Sequence, residues 1–125
     1  MITVETSNRS GVEAPEREAA ELARRVLAAE GVEEGELGIV FVAPEEIRSL
    51  KREHLGVEEE TDVLSFPLDG LEPLPEGVPR ALGDVVLCPQ VAGEAWAGPL
   101  VHGLLHLLGY EHGPEMEARE REHAR

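Results

Sequence analysis

Three histidines stand in one short run, P-L-V-H-G-L-L-H-L-L-G-Y-E-H, over residues 99–112. His102 and His106 are four residues apart, which on a helix stacks their imidazoles on one face with Cβ atoms about 5–6 Å apart. At that separation two ring nitrogens can converge on one ion at roughly 2.0–2.1 Å each. Gly109 follows and can adopt the left-handed backbone that ends a helix and reverses the chain, so His112 returns towards the pair. Three neutral imidazoles with one position left open describe a catalytic zinc site, whereas a structural site is normally closed by a fourth, usually cysteine, ligand. The chain has one cysteine, Cys88. Two unpaired imidazoles among leucines would cost a few kcal/mol, and a shared metal removes that cost.

Spacing alone leaves two hydrolytic chemistries open. H-x-x-x-H-x-x-G-x-x-H also fits the metzincin proteases, where a Glu directly after the first His is the general base. Here that position is Gly103, and Met116 is the only methionine downstream. Peptide hydrolysis is the weaker reading. His54 and His123 sit among charged residues and are expected to be solvated, and Cys88 is expected to be a small core residue.

The elements that must position these groups follow from periodicity. Leu100, Val101, Leu104, Leu105, Leu107 and Leu108 cover nearly the whole circumference of the histidine helix from Pro99, so it should be buried at the centre. Ile2–Thr6 alternates as a half-buried strand does and suits a sheet edge. Ala19, Leu22, Ala23, Val26 and Leu27 mark an amphipathic helix between Pro15 and Gly31. Leu37–Val42 reads as a buried strand, and Pro44 opens a helix that runs to about Gly56. Arg48, Lys51 and Arg52 share one face of that helix and suit its C-terminal dipole. Asp62–Phe66 and Gly83–Cys88 read as two further strands, and the Pro- and Gly-rich residues 68–80 as a surface loop. The expected fold class is α/β (α+β), a small mixed sheet of about four strands packed with helices, in a single domain over residues 1–125.

The charge balance sets a constraint on partners. Acidic residues number 26 against 11 basic ones, a formal net charge of −15. Nucleic acid is bound chiefly through Lys and Arg, so this balance argues against a broad nucleic-acid surface, and no DNA partner is expected. Abundant Glu with one Asn and one Gln fits a heat-adapted protein. Neither a signal sequence nor a membrane span is evident, and a cytoplasmic location is expected.

The motifs H-G-L-L-H-L-L-G-Y-E-H (102–112), T-D-V-L-S-F-P (61–67) and L-G-D-V-V-L-C (82–88), in this order, resemble those of the YbeY family of bacterial endoribonucleases. The resemblance covers nearly the whole chain. It implies one zinc ion on His102, His106 and His112, with the histidine helix lining a cleft. It further implies single-strand-specific cleavage of RNA, action at the 3′ end of 16S rRNA in ribosome quality control, and the small ribosomal subunit or a ribosomal protein as partner. Thr61, Asp62 and Ser65 would border the cleft, and Asp84 would orient a ligand or brace a turn. Arg52, Ser65 and Glu111 are the candidate contributors to catalysis. Three departures stand out. The family's usual Arg six residues before the Thr is Leu55 here, with Arg52 as a nearby substitute. Its Asp before the third His is Glu111, and the stretch between Cys88 and His102 is only 13 residues, which shortens one wall. A ribosome-associated assembly factor with a mainly structural metal is the alternative. Either way, binding to free RNA should be weak and salt-sensitive.

Overall fold

A computed structural model describes residues 1–54 and 62–124. Four strands form one mixed sheet in the order β1-β2-β4-β3: β1 (Ile2–Arg9), β2 (Gly35–Val42), β3 (Val63–Pro67) and β4 (Ala81–Leu87). β1 runs parallel to β2 and β2 parallel to β4, while β3 is antiparallel to β4. The expected α+β class is therefore the observed one, with β1 at an edge. β1 extends three residues beyond its alternating segment, because Ser7, Asn8 and Arg9 pair with Val40, Phe41 and Val42 through backbone bonds that need no apolar side chain.

Helices cover both faces. α1 (Glu16–Ala29) and α4 (Ala97–Leu107) pack on one, where Leu22, Val26, Leu104 and Leu105 meet Ile39, Phe41, Val63, Val85 and Leu87. α2 (Pro44–Glu53) covers the other, with Ile47 and Leu50 against Val42, Leu64, Val86 and Cys88. Cys88 is fully buried, as expected of a small core residue. The pairing of β2 with β4 shifts at Glu36/Leu37, opposite Gly83 at φ +137°. This bulge resets the strand's alternation, so Leu82 and Val85 both face the α1–α4 core.

Between β4 and the histidine helix the chain makes only α3 (Pro89–Ala92) and a 3-10 turn over Gly93–Ala95, consistent with the short connection. α4 begins two residues before Pro99, which occupies its first turn. A fifth helix, α5 (Pro114–His123), was not signalled by periodicity: Met116 is its single buried residue. Residues 68–80 contain no helix or strand and are held by Arg80, whose guanidinium donates to the Gly70 and Glu72 carbonyls at 2.6 and 2.8 Å. Among the described residues, no helix is long and apolar enough to cross a membrane.

Candidate metal centre

α4 carries His102 and His106 on one side and ends in a turn that supplies His112. Leu108 caps the helix, Gly109 takes φ +97°, and the Gly109 and Tyr110 amides donate back to the His106 and Leu105 carbonyls at 3.0 and 3.1 Å. That is a Schellman closure, and its left-handed residue is the glycine the sequence supplies. The reversal places the Tyr110 carbonyl 3.0 Å from His106 Nδ1 and brings His112 back over the helix end. The three imidazoles then converge: His106 Nε2 lies 3.2 Å from His102 Nε2 and 2.7 Å from His112 Nε2.

The donor set fits a cation. A carbonyl can only accept, so His106 Nδ1 carries a proton, and in the neutral ring Nε2 presents a lone pair. His102 Nδ1 faces the Glu120 carboxylate at 3.5 Å, and the negative charge there favours a proton on that nitrogen. Two lone pairs thus point at one another across 3.2 Å, and a metal between them turns repulsion into coordination. Tetrahedral zinc spaces ligand nitrogens about 3.3 Å apart, a spacing that the His102–His106 pair matches and the His106–His112 pair, at 2.7 Å, would reach by opening slightly. The braces on Nδ1 are of the kind that fix ligand tautomers in metal sites.

His102 and His112 border a cavity of about 430 Å³ that Asp62, Gly98, Glu117 and Glu120 also line. Asp62 Oδ1 is buried and, among the described residues, has no hydrogen-bond partner. An orphaned carboxylate oxygen in a cavity shared with two of the convergent imidazoles calls for a ligand-related explanation. None of the described residues lining this cavity is Lys or Arg.

Gly103 weighs further against the protease pattern. A Cβ there would come within 2.9 Å of Val85 Cγ1 and 3.1 Å of Ser65 Oγ, so α4 touches the sheet at this point. A side chain at 103 would press on the sheet and not reach out beside His102 as a general base. Ser65, 5% exposed, points into that contact and donates to the Gly103 carbonyl at 3.2 Å; it clamps the helix to β3. The other sequence candidates separate. Asp62 reaches the cavity. Glu111 is exposed and lines a neighbouring depression with Tyr110 and Glu115. Arg52 is exposed at the end of α2, the helix on the opposite sheet face, and Asp84 is exposed on β4 opposite Gly38. Thr61 and Leu55 lie outside the described residues.

His123 corrects an expectation. Rather than being solvated, its side chain is 5% exposed and donates to Glu30 at 2.6 Å. Glu30 caps α1 and also accepts from Tyr110 Oη and Arg119 Nε, each at 2.8 Å. Burial pushes the Glu30 carboxyl up, but the hydrogen bonds from His123, Tyr110 and Arg119, with the arginine's charge, outweigh it and hold the group below the usual carboxylate range. The bond to Glu30, then burial, raises the Tyr110 phenol. His54 is exposed, edge-on to Phe66 with ring centroids 4.8 Å apart. Glu120 and the Glu30 cluster escaped sequence reasoning because α5 did.

Fold and site together define a class: a small α+β protein whose buried helix presents a three-histidine cluster able to hold a metal ion. The chain belongs to the Endoribonuclease YbeY family, whose model matches residues 3–125. Proteins named Endoribonuclease YbeY from Rhodococcus opacus and Mycobacterium ulcerans are 39% and 38% identical to it, each over 95% of this chain and 76% of the relative. A Thermotoga maritima protein determined in solution shares the fold with a TM-score of 0.54 at 24% identity, covering 98% of this chain and 86% of its own.

Proposed function

We propose that the chain is a zinc-dependent endoribonuclease that cuts single-stranded RNA, with His102, His106 and His112 as the metal ligands. The observation that carries this reading is the convergence of the three Nε2 atoms, two of them with the far side of the ring braced by Tyr110 or Glu120. Zinc in this position would act as a Lewis acid on a phosphoryl oxygen and stabilise the negative charge developing on that oxygen. Asp62, with its uncommitted oxygen at the cavity, would take the proton released as the attacking oxygen bonds to phosphorus, while the phosphorus–oxygen bond to the leaving ribose breaks and that oxygen takes up a proton from water. The His102 and His106 rings keep their Nδ1 protons throughout and hold their orientation. Membership of the family supports RNA as substrate, and within that class the 3′ end of 16S rRNA, with a partner on the small ribosomal subunit in the cytoplasm, is the reading we adopt.

One observation favours a second reading, a ribosome assembly factor with a structural metal: no described cation lines the histidine cavity. Elemental analysis followed by cleavage assays on single- and double-stranded RNA, with and without chelator, separates the two. The nuclease reading expects about one zinc per chain, cleavage of single strands only, and loss of cleavage on chelation and in His106→Ala. Metal-replete protein that leaves single-stranded RNA intact overturns it.

A further inference from the structure

A second cavity, of about 450 Å³, adjoins the histidine cavity and shares Gly98 and Glu120 with it. It lies between α1, the start of α4 and the end of α5. Glu18, Glu21, Leu22 and Arg25 form one wall as a single helical stripe, and half-buried Trp96 forms another. Trp96 is the only tryptophan in the chain.

We propose that this cavity is a nucleobase subsite, in which Trp96 stacks one unpaired base of the RNA strand and the α1 carboxylates read its N–H edge. The inference rests on the endoribonuclease reading and extends it to how the strand is held. The volume falls in the range of small-ligand pockets, roughly 300–1,000 Å³. An indole face binds a base by stacking, without needing a cationic surface. Charge decides which part of the nucleotide enters. Glu18, Glu21 and Glu120 repel a phosphate but accept hydrogen bonds from a base, so the base turns in and the backbone stays outside, near exposed Arg25. A base inside a duplex offers neither a free face nor a free pairing edge, which makes the subsite selective for single strands. Among the bases, guanine sets two N–H donors side by side and matches both oxygens of one carboxylate. Uracil flanks its single N–H with carbonyls that a carboxylate repels.

A single tryptophan makes the test direct. In titrations of the zinc-loaded protein, guanosine monophosphate should quench the fluorescence saturably and at lower concentration than uridine monophosphate. Glu21→Gln, an exposed change that spares the fold, should narrow that difference. Trp96→Ala should raise KM for a short single-stranded oligoribonucleotide about tenfold, the size one base stack supports, with kcat little changed, and Trp96→Phe should restore most of it. Quenching should persist in His106→Ala, because the subsite does not need the metal. Unchanged fluorescence at saturating guanosine monophosphate, or a wild-type KM in Trp96→Ala, overturns the subsite. Quenching in a protein that cuts no RNA upholds it while removing the nuclease reading.

Discussion

Glu120 faces the ring nitrogen of His102 that is turned away from the other two histidines. A carboxylate there fixes the imidazole's tautomer and raises its basicity as a ligand. Glu120→Gln should weaken zinc binding about 10- to 100-fold, measured by competition with a chromophoric chelator; unchanged affinity would show that the carboxylate is a bystander. His106 has a backbone carbonyl in the same role, which substitution cannot remove. The histidines were legible in the sequence because spacing on one helix and a glycine at its end are local facts. The uses of their neighbours were not. Ser65 has the chemistry of a catalytic residue, but strand alternation turns it into the α4 contact, and Gly103 looks idle until the sheet is seen pressing against it.

Among the elements, α5 shows where periodicity stops being informative. One buried residue in ten leaves no stripe to detect, and what holds the helix is largely polar and distant in sequence. Arg119 and His123 bond to Glu30, 89 and 93 residues away. α1, α2 and α4 bury apolar faces against the sheet and were readable for that reason. The Glu30 cluster also carries a pH dependence with a definite sign. Its carboxyl is held below the ordinary value, so its contribution to stability is complete above the unfolded glutamate pKa of about 4.3 and is lost as pH falls through the lower, folded value. Glu30→Gln should cost about 2–3 kcal/mol near neutrality, and the gap to the native protein should narrow as pH falls below the unfolded glutamate pKa. Urea denaturation at pH 7 and pH 3 checks this; an equal gap at both would refute it.

For the whole molecule, the net charge of −15 and an RNA substrate are compatible if few phosphates are contacted. The bases are dispersed: Arg24 and Arg25 are exposed on α1, Arg48 and Arg52 on α2, and these helices cover opposite faces of the sheet. Affinity for free RNA should therefore be low, with a slope of log K against log salt no steeper than about −2, as two or three neutralised phosphates give on a single strand. A slope beyond about −4 in filter-binding assays would reveal an extended basic surface. The order of the elements along the chain has a further consequence. α5, which braces His102 and caps the Glu30 cluster, is synthesised after the histidines it supports. A nascent chain emerging as far as His112 has all three imidazoles but lacks Glu120, Arg119 and His123. An RNA-cutting activity born on a ribosome, surrounded by ribosomal RNA, thus acquires these supports only after its histidines have been made.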